Sequence, residues 1–75
     1  MALKYVNHEG RMYMFPDHVP HADFVMSMKI PKDELIGAGF VRTDADGDLY
    51  CYGRAQSLDM GVGSKDQTCL NRTVQ

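Results

Sequence analysis

Cysteine and long apolar runs are scarce in this chain of 75 residues, and each scarcity excludes a class of protein. Its two cysteines, Cys51 and Cys69, are too few for a disulfide framework and lack the CxxC spacing of zinc or redox motifs. We therefore interpret both as reduced thiols directed into a core. The longest apolar runs fall far short of the roughly 20 residues that span a bilayer, so we expect no membrane segment.

The chain also lacks a strong charge of either sign. Eight Lys and Arg and ten Asp and Glu give a formal charge of -2. The resulting electrostatic field is too weak to attract nucleic acid, which disfavours DNA binding. The first residues lack the basic region, apolar stretch and cleavage site of a signal peptide. These features predict a cytoplasmic location.

Length and composition predict one folded domain, residues 1–75. Hydrophobic residues make up 44% and charged residues 24%, which is typical of globular chains and unlike disordered ones. A domain this short buries only about 60% of the surface that its unfolded chain exposes. Its stability is therefore marginal, and we expect a homodimer.

The first half of the chain is predicted to form a hairpin followed by a helix. Residues 3–7 and 11–15 are β-prone and flank a connection that contains Gly10, where a positive φ is easily adopted. Pro20 suits the first turn of a helix, which must end before Pro31.

The second half repeats this order. Residues 37–42 and 48–54 form a second hairpin around 44–47, and a Gly-rich loop leads to Ser64, which caps a final helix with Gln67 in capping-box spacing. The sequence thus predicts an α+β fold of order ββαββα. We expect a four-stranded antiparallel sheet of two hairpins, with two short helices on one face.

Several short segments resemble those of small proteins encoded by bacteriophages and prophages, which have no established activity. The likeness covers mainly residues 38–66, with His21-Ala22 as an earlier match. It implies a phage origin, a location in the host cytoplasm and a partner among host proteins, and it supplies no catalytic residues. The segments are Ala38-Gly39-Phe40-Val41, Tyr50-Cys51-Tyr52-Gly53-Arg54, Ser57-Leu58 and Gly63-Ser64 with Asp66.

Three groups of residues suggest ion binding, and each has a simpler interpretation. Acidic residues 44–48 resemble the start of a calcium loop, but Leu49 and Ala55 stand where the glycine and the bidentate glutamate belong, which favours a hairpin turn. The possible transition-metal ligands fit no closed four-ligand site, so we expect no metal and no cofactor. These ligands are His8, His18, His21, Asp17, Asp23, Cys51 and Cys69.

The third group is Gly63, Ser64 and Lys65, which resembles a phosphate-binding turn at a helix N-terminus. The order Gly-Ser-Lys is not that of a P-loop. A flexible loop with a serine cap is the simpler interpretation.

Strand alternation predicts an aromatic and basic sheet face opposite an aliphatic one. Met12, Met14, Val41, Leu49 and Cys51 would then face the helices. Tyr, Phe and Arg are enriched at protein interfaces, although the same side chains also suit a half-buried sheet surface with Arg stems over the rings. The predicted protein-binding residues are Arg11, Tyr13, Phe15, Phe40, Arg42, Tyr50, Tyr52 and Arg54.

These patterns favour an interaction protein that binds, and could modulate, a host protein. The alternative is a small binding protein for a nucleotide or other phosphorylated anion, with rings stacked on the base and the Gly63 turn on the phosphate. An enzyme is disfavoured, because no acid, base and nucleophile are brought together by the sequence.

Overall fold

The computed structural model describes residues 3–73 as strands and helices joined by short turns. Single 3₁₀ turns lie at Lys32–Glu34 and Gln56–Leu58. The elements are β1 (Leu3–His8), β2 (Arg11–Pro16), α1 (His21–Ser27), β3 (Leu35–Thr43), β4 (Leu49–Tyr52), β5 (Arg54–Ala55), β6 (Met60–Gly61) and α2 (Asp66–Thr73). Neither of these helices is long and apolar enough to cross a membrane.

The main sheet has four antiparallel strands in the order β2-β1-β3-β4. This confirms the predicted α+β class, the sheet of two hairpins and the ββαββα order of the principal elements. A second, two-stranded sheet of β5 and β6 was not predicted. Gly53 has a φ of 77° and ends β4, so that Arg54 lies in β5 rather than in the strand of the predicted second hairpin.

The two helices lie on opposite faces of the sheet, so their predicted placement on one face is wrong. Val6 clusters with Val25 of α1, whereas Tyr5 clusters with Leu70 of α2. Adjacent strand residues point to opposite faces, and the two clusters are therefore separated by the sheet. Both faces carry apolar side chains, and one short helix covers part of each.

The face under α1 has an aromatic core. Phe15 is buried, and its ring stacks on that of Phe24 with 4.1 Å between ring centroids and 4° between planes. Such parallel contact adds to the stabilisation from burial. The buried residues of this cluster are Val6, Phe15, Val25, Leu35, Ala38, Ala55 and Leu58.

The face under α2 contains the predicted aliphatic residues. Its buried centre is Tyr5, Val41 and Leu70. Cys69 is buried and Cys51 half-buried, both as free thiols, and burial raises the pKa of the Cys51 thiol. The partly buried side chains around this centre are Leu3, Met12, Met14, Leu49 and Cys51.

A buried carboxylate joins α2 to this face. Asp66 is fully buried and accepts hydrogen bonds from the Tyr5 hydroxyl, from Asn7 Nδ2 at 2.9 Å and from the Gly63 N–H at 2.8 Å. Burial, and then the hydrogen bond and charge of Asp66, raise the pKa of Tyr5 far above its usual value. Tyr5 therefore remains a protonated donor.

Two glycines make room for this carboxylate. A Cβ at Gly37 would overlap the Asp66 side chain, and one at Gly63 would overlap the carbonyl oxygen of Ile36. The helix start also differs from the prediction, because Asp66 rather than Gln67 reaches back to a backbone N–H.

Gln67 instead covers the outer edge of β4. Its Oε1 accepts from the Cys51 N–H at 2.9 Å, and its Nε2 donates to the Leu49 carbonyl at 3.1 Å. The side-chain amide thus occupies two of the backbone groups that a further strand would use.

Replacing Tyr5 with Phe should destabilise the fold, because Asp66 would lose a donor at a site without water access. We expect a loss of about 1–3 kcal/mol in the free energy of unfolding, measured by urea titration. Tyr13→Phe, which removes a hydroxyl from a half-buried residue of the other face, should cost about 0.5 kcal/mol or less. Equal losses in the two variants would show that the Asp66 network contributes little.

Candidate functional site

Seven of the eight predicted binding residues share one side of the main sheet. The pairs Lys4 with Phe15, Phe40 with Tyr52 and Arg42 with Tyr50 fix this register. Arg54 is the exception, because it lies beyond Gly53 in β5. The seven are Arg11, Tyr13, Phe15, Phe40, Arg42, Tyr50 and Tyr52.

Helix α1 removes part of that side from contact with a partner. Phe15 is 4% exposed and belongs to the core. Tyr13 is half-buried, and its ring centroid lies 6.4 Å from that of Phe24 in α1. Arg11 is exposed beside the hairpin turn, at the far end of the face. The expected continuous open face is therefore wrong, because the alternation of side chains does not show which side a helix will cover.

The uncovered part is a cluster on β3 and β4 that we call the aromatic-basic surface: Phe40, Arg42, Tyr50 and Tyr52. The guanidinium of Arg42 lies 5.4 Å from the Tyr52 ring centroid, and the Phe40 and Tyr50 centroids lie 5.6 Å and 5.8 Å from it. Arg42 is exposed and the three rings are half-buried. These contacts hold the rings in place while leaving one side of the cluster accessible.

A cavity of about 340 Å³ adjoins this surface and shares Phe40 with it. Lys4 connects the two, with its Nζ 6.0 Å from the Phe40 ring centroid. The lining includes two cationic residues and no acidic one: Lys4, Pro20, His21, Phe40, Arg54, Gln56 and Ser57.

Both cations of the cavity already have a contact. Lys4 Nζ donates to the Val19 carbonyl at 3.0 Å, and Arg54 pairs with exposed Asp59 at 2.6 Å. An exposed pair of this kind is worth little, so Arg54 can exchange Asp59 for a partner's carboxylate at low cost. Lys4 retains further N–H donors for the same purpose.

His21 forms the buried wall of the cavity. Its ring packs edge-on against Phe15 at 5.4 Å and Phe40 at 5.6 Å, and Nε2–H donates to the Gly39 carbonyl at 2.8 Å. Burial lowers its pKa, the hydrogen bond to Gly39 opposes this, and nearby Lys4 lowers the pKa further. His21 is therefore neutral near pH 7 and acts as a wall rather than as a charge.

The predicted anion-binding turn is occupied by the chain's own carboxylate. The Gly63 N–H donates to Asp66, while Ser64 and Lys65 are exposed. The glycine at 63 is explained by its close approach to Ile36 and Asp66. The geometry therefore favours an internal turn over a phosphate site.

The structure brings together a set of possible metal ligands different from the set that the sequence suggested. His8 Nε2 lies 2.7 Å from Glu34 Oε1 and 3.5 Å from Glu9 Oε1, a grouping missed because the hairpin and the 3₁₀ turn are distant in sequence. The close contact is a hydrogen bond that joins these two turns. His18 is exposed and His21 is buried, and neither belongs to a metal-ligating group within residues 3–73.

The acidic segment forms the predicted hairpin turn. Asp44 Oδ1 accepts hydrogen bonds from the N–H groups of Asp46 at 2.9 Å and Asp48 at 3.0 Å. Such side-chain bonds to the backbone stabilise tight turns, which gives Asp44 a structural role in this hairpin.

Comparison of the chain with protein-family models, curated proteins and solved structures finds no match. The aromatic-basic surface and the cavity beside it are the features of this chain that bear most directly on function.

Stability should depend on pH through His21. The unfolded chain has a histidine pKa of about 6.5, and the folded value is lower, so the unfolded state binds more protons below that pH. We expect the free energy of unfolding to fall as pH drops below about 6.5 and to keep falling until the folded pKa is reached.

Urea unfolding between pH 7.5 and 5.5 measures this effect. Carboxylates have an ordinary pKa of about 4, so they remain largely ionised over this range. His21→Gln should remove much of the slope, whereas His18→Gln, at an exposed histidine, should retain it. A slope that survives in His21→Gln would assign it to another group.

Proposed function

We propose that this chain is an interaction protein that binds a partner protein through the aromatic-basic surface and the adjoining cavity. The observation that supports this most directly is the packed and accessible cluster around Tyr52. The Arg42 guanidinium and the Tyr50 ring centroid lie 5.4 Å and 5.8 Å from the Tyr52 ring centroid. The sequence resemblance to phage proteins supports a host protein as the partner and the host cytoplasm as the location.

The chemistry of the surface favours protein recognition. Tyrosine and arginine are among the residues enriched as anchors at interfaces, and the large ring of tyrosine buries much area with few rotatable bonds. Mutual packing of Phe40, Tyr50 and Tyr52 fixes these rings before a partner arrives. The entropy lost on binding is correspondingly small.

The cavity indicates which groups of the partner bind there. Lys4 and Arg54 line it without an acidic neighbour in the lining, although the whole chain carries a formal charge of -2. A carboxylate on the partner can therefore pair with Lys4 and Arg54 while an adjacent apolar group contacts Phe40. We infer a partner segment that presents an acidic side chain beside an apolar one.

Arg42→Glu should weaken partner binding by a factor of at least about 30, since removing an interface anchor typically costs 2 kcal/mol or more and the new charge repels an acidic segment. The partner is first identified by capture from bacterial lysate on the tagged chain, and its affinity is then measured by calorimetry. Tyr52→Ala should weaken binding in the same range.

Arg72→Glu is the matched control, because it makes the same change of charge at an exposed position in α2. It should leave the affinity within about twofold, and all variants should be checked by urea unfolding. Equal weakening by Arg42→Glu and Arg72→Glu would mean that net charge, rather than this surface, determines binding.

A further inference from the structure

The two edges of the main sheet differ in how their backbone groups are satisfied. At β4, the side-chain amide of Gln67 binds two outward groups, the Leu49 carbonyl and the Cys51 N–H. At β2, no hydrogen bond to the backbone of Met12 or Met14 from outside the sheet occurs within residues 3–73. An unpaired edge of this kind is a template for another strand.

The hairpin turn determines which groups of β2 point outward. Glu9 and Gly10, with φ of 54° and 101°, form a two-residue turn, so His8 and Arg11 are a hydrogen-bonded pair. Such pairs alternate along antiparallel strands, which directs the N–H and C=O of Tyr13 toward β1. The corresponding groups of Met12 and Met14 therefore point away from the sheet.

The opposite edge provides an independent check. The same alternation, followed from β1 through β3 to β4, directs Tyr50 and Tyr52 toward β3 and directs Leu49 and Cys51 outward. These two outward residues are the ones that Gln67 contacts. The hydrogen-bond pattern assigned to β2 is thus consistent across the whole sheet.

The positions at either end of this edge are already used. Pro16 has no N–H, and its carbonyl accepts from the Val19 N–H at 3.1 Å. At the turn, the Gly10 N–H donates to Asn7 Oδ1 at 2.9 Å. The open part of the edge therefore consists of Met12 and Met14.

We propose that β2 pairs antiparallel with β2 of a second copy of this chain, across a two-fold axis at Tyr13. Met12 and Met14 of the partner subunit would then form a hydrogen-bonded pair, and the symmetry repeats this pair with the roles exchanged. The product is a continuous eight-stranded sheet, made from two four-stranded ones.

This register is favoured over its neighbours by the groups available. Moving the axis to Met14 would set Met12 against Pro16 of the partner subunit, which has no N–H to give. Moving it to Met12 would set Met14 against Gly10 of the partner subunit, whose N–H is bound to Asn7. With the axis at Tyr13, the outward N–H groups of Met12 and Met14 each meet a free carbonyl of the partner subunit.

The dimer should be weak and leave the aromatic-basic surface free. Pairing of two six-residue strands along one edge forms an interface at the small end of the range for specific contacts, so we expect a dissociation constant on the order of micromolar. Strands β2 and β4 are opposite edges of the sheet, which keeps Arg42 and Tyr52 of both copies away from the junction.

Amide hydrogen exchange on the unmodified chain, measured over a range of concentration with light scattering in parallel, tests this arrangement. The mass should rise from 8.4 kDa toward twice that value, and exchange at the Met12 and Met14 amides should slow together with it. A monomer at high micromolar concentration overturns the proposal. So does a dimer in which these two amides exchange at the same rate at every concentration, or protection that arises only when another protein is added.

Met14→Pro supplies a second measurement, since proline at an outward position of an edge strand removes the intermolecular donor without removing a bond to β1. We expect dimerisation to weaken roughly tenfold or more, while Met14→Leu retains it. Arg42→Glu should leave the dimer intact, so that failure of this proposal and failure of partner binding can be distinguished. If Met14→Pro does not fold, the exchange measurement on the unmodified chain still decides the result.

Discussion

The buried carboxylate of Asp66 is the constraint on which the arrangement of this fold depends. A buried charge must be compensated by donors, and here the donors come from Tyr5, Asn7 and the backbone of Gly63. These groups belong to β1 and to the loop before α2, so the carboxylate fixes the start of α2 against the sheet. Gln67 follows Asp66 directly, and its reach to β4 depends on the same anchor.

Placement of the helices on opposite faces determines which part of the aromatic face remains accessible. Helix α1 covers β1 and the 3₁₀ turn at Gln56–Leu58, which buries Phe15 and partly buries Tyr13. The rings of Phe40, Tyr50 and Tyr52 continue the same face beyond the helix, where they remain half-exposed. One aromatic face is thus divided between a core and the accessible aromatic-basic surface, and His21 forms part of the boundary through its contacts with Phe15 and Phe40.

Local features of this fold could be predicted from the sequence, whereas contacts distant in sequence could not. The hairpin around Gly10 and the turn around Asp44 depend on a few neighbouring residues, and strand alternation correctly placed Arg42 and Tyr52 on one side. The bond between Tyr5 and Asp66 joins residues 61 positions apart, and no spacing rule reports it. The sequence also could not predict which face of the sheet each helix covers, because both faces carry apolar side chains.

The difference between the two sheet edges limits how copies of the chain can associate. If both edges were open, β2 of one copy could pair with β4 of the next, and such head-to-tail contacts extend into filaments. Gln67 binds the Leu49 carbonyl and the Cys51 N–H at the β4 edge, which disfavours such pairing and supports the proposed pairing of β2 with itself. A two-fold contact uses both open edges and cannot extend further. In the proposed dimer, the side chain that protects one edge therefore also opposes growth beyond two copies.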